Sequence, residues 1–166
     1  MTKTCSVLAA ALLACASSLA VGQPGPVAVF DLPAGEACSF PLHVELYGAR
    51  SVYREHRDKN GEIVRVFTGG KGYELRFTNS ASGSGLTLRP NGSNDTMTYN
   101  ADGTVTLVTT GHYVLIYFST DVASGGTPFV RQYTGRTVQN INPSTGVFTL
   151  LRTSGKASDI CAALEG

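Results

Sequence analysis

Phe40-Pro41-Leu42-His43-Val44-Glu45-Leu46-Tyr47 alternates apolar and polar side chains with a period of two. Successive side chains of a strand point to opposite faces. This run therefore buries Phe40, Leu42, Val44 and Leu46 on one side and presents His43, Glu45 and Tyr47 on the other. Downstream the same grammar continues, cut into short pieces by turn residues. Asp58-Lys59-Asn60-Gly61 and Ala101-Asp102-Gly103 are hairpin signals, because Asn-Gly and Asp-Gly reach positive φ at low cost. The first of these joins a strand at 51–57 to one at 63–68, and the second joins 95–99 to a strand opening with Val105 and Leu107. Between them, Gly69-Gly70-Lys71-Gly72 turns into the half-buried alternation Tyr73, Leu75, Phe77, and Ala81 to Gly85 turns into Leu86-Thr87-Leu88.

Beyond Gly111 the run Tyr113 to Phe118 is apolar on both faces and reads as the central, most buried strand. Phe129 to Gln139 follows as a long strand bent at Gly135, and Asn142 to Gly146 turns into a strand at 147–152. Only the end reads as helical. Ser154 or Ser158 caps a short helix through Leu164, with Asp159 in its first turn and Ile160 and Leu164 on one face. The expected fold is all-β: an antiparallel sandwich or barrel of about 8–10 strands, mostly meander, with a short C-terminal helix.

Upstream, the chain opens with Lys3, an apolar run from Val7 to Ala14 and the small residues Ala20-Val21-Gly22. That three-part layout is a secretory signal peptide over residues 1–22, and its apolar part is shorter than the roughly 20 residues of a membrane span. A lipobox reading of Leu12-Leu13-Ala14-Cys15 is the alternative. Residues 23–166 then form a single all-β secreted domain, with 23–28 as a flexible lead through Gln23-Pro24-Gly25-Pro26.

Four cysteines occur, and Cys5 and Cys15 leave with the signal. Cys38 and Cys161 remain as an even pair in an oxidising compartment. Their bridge would close a loop of about 120 residues; free or metal-binding thiols are the alternative, without a CxxC or Cys/His cluster to support it. Two N-glycosylation sequons, at Asn91 and Asn94, fall in a turn-rich stretch and are expected on an exposed loop.

The charged fraction is 15%, and the formal net charge of +1 falls to zero once Lys3 is removed. No basic block occurs, which argues against nucleic acid or an anionic membrane as partner. Ser, Thr, Asn and Gly supply the polarity, as suits the solvent faces of a secreted β protein. A monomer with an extracellular ligand or surface as partner is expected, with no cofactor and no membrane insertion.

Catalytic signals are sparse. His43 and Glu45 share a strand face and would make half a metal site, or an ordinary polar face. His112 begins the buried strand, on the same face as Val114, Ile116 and Phe118. It reads as a general base at the mouth of a barrel or as a semi-buried histidine held by a turn carbonyl. Glu45, Glu55 and Glu74 lie on outer faces, where cross-strand ion pairs explain them without glycoside hydrolysis. No G-x-S-x-G elbow occurs, Gly69 to Gly72 lacks phosphate-loop spacing, and Trp is absent from the sequence.

Several short motifs recur together: Phe30-Asp31-Leu32-Pro33-Ala34-Gly35 before Cys38, Asp58-Lys59-Asn60-Gly61, Gly70-Lys71-Gly72, Phe77-Thr78-Asn79 and Asn91-Gly92-Ser93. Thr110-Gly111-His112, Tyr133-Thr134-Gly135-Arg136 and Gly155 to Cys161 complete the set. It resembles a group of small secreted β-rich proteins of filamentous fungi and actinomycetes, over nearly the whole chain after the signal. The resemblance implies secretion and one domain and carries over no functional residue. Three readings follow: a secreted non-enzymatic binding module, a carrier of a small apolar molecule in a barrel cavity, and a secreted hydrolase centred on His112.

Overall fold

Period-two alternation becomes two antiparallel sheets in the computed structural model, which describes residues 25–48, 52–89, 91–121 and 127–165. In chain order the elements are β1 (Ala28–Leu32), β2 (Leu42–Tyr47), β3 (Val52–Arg57), β4 (Ile63–Gly70), β5 (Glu74–Asn79) and β6 (Gly85–Leu88). They continue with β7 (Ser93–Tyr99), β8 (Val105–Tyr117), β9 (Phe129–Ile141), β10 (Phe148–Asp159) and the helix α1 (Ile160–Glu165). One sheet has the order β1-β2-β5-β6, the other β10-β9-β8-β7-β4-β3. The all-β expectation holds, as two sheets and a short terminal helix. The expected leader at 1–22, with Cys5 and Cys15, lies outside the described residues. Among the described residues no helix is long and apolar enough to cross a membrane.

The meander applies to β7 through β10. Before that the chain alternates between sheets: β1 and β2 pair, the β3–β4 hairpin enters the larger sheet, and β5–β6 returns beside β2. β2 thus pairs with β1 and β5, not with β3. The expected lead to residue 28 is also too long, because the Val27 amide donates to the Leu46 carbonyl at 2.7 Å and Ala28 is already in β1. The hairpin signals act as anticipated. Gly61 (φ 87°) and Gly103 (φ 83°) take left-handed conformations, and Asp58 Oδ1 accepts the amides of Asn60 and Glu62 at 2.8 and 3.0 Å.

Register aligns the apolar positions of the small sheet in rows. Phe30, Val44, Phe77 and Leu86 lie side by side, as do Ala28, Leu46, Leu75 and Leu88. Against this face pack Val114 and Ile116 of β8, Val130 of β9 and the helix residues Ile160 and Leu164. Asp159 caps the helix, with its Oδ1 accepting the Ala162 amide at 3.1 Å; it does not lie in the first turn, and Ser154 and Ser158 are strand residues. Buried Asn79 donates to the Leu164 carbonyl at 3.2 Å and accepts the Ala81 and Ser82 amides, joining the helix end to the β5–β6 turn. The Cys38–Cys161 disulfide closes this end of the core, with Cα atoms 5.5 Å apart.

β8, β9 and β10 are the longest strands, and each contains a glycine at the same register: Gly111 faces Gly135, and Gly135 faces Gly155. All three have positive φ, at 106°, 149° and 101°. Glycine rows of this kind bend a sheet. Beside this row the Tyr113 hydroxyl donates to Thr137 Oγ1, and Tyr113 stacks on Tyr133 with ring centres 5.6 Å apart. Thr109, Thr137, Gln139, Val66 and Val105 are buried on the face that Tyr113 overlies, as a second, more polar cluster. The central-strand expectation at 113–118 holds only in part. Tyr117 is buried, while Val114, Leu115 and Ile116 are half-buried.

Candidate functional site

Above the glycine row the two sheets do not close on each other. A cleft of about 310 Å³ remains between them, at the lower end of the size range of small-molecule sites. Its floor comes from both sheets. The small sheet contributes Phe30, Val44, Leu46, Leu75, Phe77 and Leu88, and β8 contributes Val114 and Ile116. Val44 and Phe77 are 1% exposed, whereas Phe30, on the edge strand β1, is 49% exposed, which marks the open side.

The rim is polar and comes from four chain segments: Lys71 and Tyr73 from the β4–β5 turn, Arg89, Asn91 and Ser93 around the start of β7, His112 from β8 and Gln132 from β9. Backbone hydrogen bonds tie these segments together. The Gly92 amide donates to the Lys71 carbonyl at 2.9 Å, and the His112 amide donates to the Gly92 carbonyl at 2.9 Å. Gly92 has φ 81°, and a Cβ there would stand 3.2 Å from the Gly70 carbonyl, so a glycine suits this junction. Among the described residues three basic side chains therefore edge one apolar cleft, and no Asp or Glu lines it. Among the described residues neither Lys71 nor Arg89 takes part in an ion pair. Burial pushes the Tyr113 phenol, in the cleft wall, up to about 12, so it stays neutral.

The sequence candidates separate. His112 reaches the cleft but is exposed at its rim, not semi-buried, and it has no carboxylate beside it in the lining. His43 and Glu45 lie on the outer face of the small sheet, away from the cleft. His43 Nδ1 is 2.7 Å from Asp31 Oδ1, and Nε2 is 3.8 Å from Glu45 Oε1. Asp31 is opposite His43 in register, a partner that sequence order hides. Among the described residues no group of three His, Cys, Asp or Glu is arranged to hold a metal. Glu55 and Glu74 form ion pairs with Arg57 and Arg76, two residues along the same strand, in place of the expected cross-strand pairs. Asn91 is on an exposed loop, but Asn94 belongs to β7, so the loop expectation fails for the second sequon.

The Asp31 hydrogen bond raises the His43 pKa above its ordinary value, and Glu45 adds to the effect. A raised folded-state pKa stabilises the protein below the unfolded value near 6.5 and loses that contribution as pH rises through the folded value. Asp31→Asn is expected to move the His43 midpoint down in an NMR titration and to shrink the stability difference between pH 5.5 and pH 8. Asp31 is 79% exposed, so the stability effect is small, and an unmoved midpoint would show that the pair does not persist in solution.

Comparison of the chain with protein-family models, with curated proteins and with solved structures finds no match.

Proposed function

We propose that the protein is a secreted, non-enzymatic binding module that takes a small, mainly apolar molecule with one anionic end into the cleft between its sheets. The observation that carries this reading is an apolar floor edged by Lys71, Arg89 and His112 with no carboxylate in the lining. An apolar body gains by leaving water for the floor, at roughly 25 cal/mol per Å² buried. An anionic head placed at the rim stays near solvent, so it does not meet the desolvation cost of a buried charge. The reading unites the binding-module and carrier expectations without a closed barrel.

Calorimetric titration with octanoate, decanoate and dodecanoate, each beside the matching alcohol, tests it. Carboxylates are expected to bind more tightly than alcohols. Lys71→Ser with Arg89→Ser should weaken decanoate about tenfold, near 1.4 kcal/mol, and leave decanol almost unchanged. Val114→Phe, which fills the floor, should abolish binding of both. Phe30→Ala, on the open edge, should weaken both without threatening the fold. Absence of binding across the series, or binding that survives Val114→Phe in a folded protein, would overturn the reading.

A further inference from the structure

The cross-strand register of the larger sheet separates its charges by face. Its six strands carry three carboxylates, Glu55, Asp95 and Asp159, and strand alternation puts all of them on the face that buries Val66 and Thr137. The two cations there are compensated. Arg57 Nη2 bonds Glu55 Oε2, and Arg131 Nε stands 4.0 Å from Asp159 Oδ2. The other face holds Arg54, His56, Arg65, Arg136, Arg152 and Lys156, all exposed and, among the described residues, without an ion-pair partner.

These side chains lie in adjoining rows. One row crosses the whole sheet as Arg54, Phe67, Thr96, Val108, Val138 and Arg152, with an arginine at each end. His56 and Arg65 are opposite each other in the row on one side, and Arg136 stands in the row on the other. At about 4.8 Å per strand step the crossing spans roughly 24 Å. A shallow depression of about 350 Å³, lined by Arg54, His56, Arg65, Phe67 and Thr96, marks its β3–β4 end.

We propose that this face binds an extended anionic polysaccharide, a uronate or sulfated chain, laid across the strands. The occupant is argued from charge complementarity and spacing. Cations clustered at both ends of a roughly 24 Å row suit a long ligand with anions at intervals, not a single ion. The threonines between them offer hydroxyl partners to sugar hydroxyls. Duplex nucleic acid fits less well, because it carries one charge per about 1.7 Å and is read by elements that enter its grooves, which a sheet face lacks. His112 and Gln132 of the cleft rim stand on this same face beyond the glycine row, but none of Arg54, Arg65, Arg136 and Arg152 lines the cleft, so the proposal does not depend on the cleft's ligand.

The test is binding of the intact protein to immobilised polygalacturonate and dextran sulfate, with neutral dextran and a single-stranded oligonucleotide of matched charge as comparators. Both anionic polysaccharides, or one of them, are expected to bind with an affinity that falls steeply with salt, and dextran is expected not to bind. Arg54→Ser with Arg65→Ser, and separately Arg136→Ser with Arg152→Ser, should each weaken binding about tenfold and flatten the salt dependence. Arg57→Ser, on the opposite face, should leave it unchanged. All five side chains are exposed, and matching melting curves establish that the variants fold. Equal binding to dextran, wild-type affinity in both paired variants, loss in Arg57→Ser, or tighter binding to the oligonucleotide would each overturn the proposal.

Discussion

Cys38→Ser is expected to lower the melting temperature by about 10–15 °C. The bridge joins residues 123 apart in sequence, and the chain-entropy relation gives about 4–5 kcal/mol for a loop of that size. A domain of this length loses roughly 3 °C per kcal/mol. The structure shows what the bridge holds. Cys161 is in the first turn of a six-residue helix, too short to persist alone. Ile160 and Leu164, on either side of Cys161, are 2% and 1% exposed and pack into the core with Ala37, Phe40 and Phe77. Losing the tether lets the helix detach, and each of these side chains contributes roughly 1.5–3 kcal/mol by burial. The Asn79 bond to the Leu164 carbonyl would open with it. Thermal melts of wild type, Cys38→Ser and Cys38→Ser/Cys161→Ser, with the wild type also measured under reductant, decide the matter. The three altered states should agree within a few degrees, and an unchanged melting temperature would show the bridge to be energetically idle.

Gly135→Ala is expected to destabilise by about 3 kcal/mol or more, against about 1–2 kcal/mol for Gly146→Ala. Both glycines have positive φ, 149° and 72°, and a left-handed conformation alone costs an alanine about 1–2 kcal/mol. The difference lies in the surroundings. A Cβ on Gly146 would meet nothing within 4 Å, whereas one on Gly135 would collide with the Ser154 carbonyl and press on the Gly155 Cα. Both are backbone in the paired strand, so relief requires moving β10, and overpacking of this kind adds typically 1–3 kcal/mol. Gly155→Ala meets the Thr134 carbonyl in the same way, and Gly111→Ala comes within 2.6 Å of the Gly92 carbonyl. Urea unfolding of Gly135→Ala and Gly146→Ala gives the comparison directly. Equal losses would mean that the glycine row sets no close approach between strands.

Much of the fold was legible where the signal is local. The alternation from Phe40 to Tyr47 and the Asn60-Gly61 and Asp102-Gly103 reversals depend on residues within a few positions of one another. The far end of β10 was not legible. The sequence reading stops its strand at Arg152, because Ser154, Gly155 and Ser158 carry no apolar alternation, yet β10 pairs with β9 as far as Asp159. Pairing to a neighbouring strand stabilises a segment that would not favour a strand by itself. The candidate site was less accessible still. His112 stands out in the sequence, but of its neighbours at the rim Lys71 reads only as part of a glycine turn and Arg89 carries no local signal.

The sequence by itself determined the all-β class, the hairpin turns, the cysteine pair able to bridge and the inward set of the small sheet, because each follows from side-chain alternation, left-handed backbone preference or counting. Only the tertiary structure decided which strands are neighbours. That choice aligns Gly111, Gly135 and Gly155, places Asp31 beside His43, gathers Lys71, Arg89 and His112 around one cleft and leaves one face of the larger sheet without carboxylates. Each of these groupings joins residues far apart in the chain, and their proximity depends on long-range register, a property of pairs of strands that no single stretch of sequence contains.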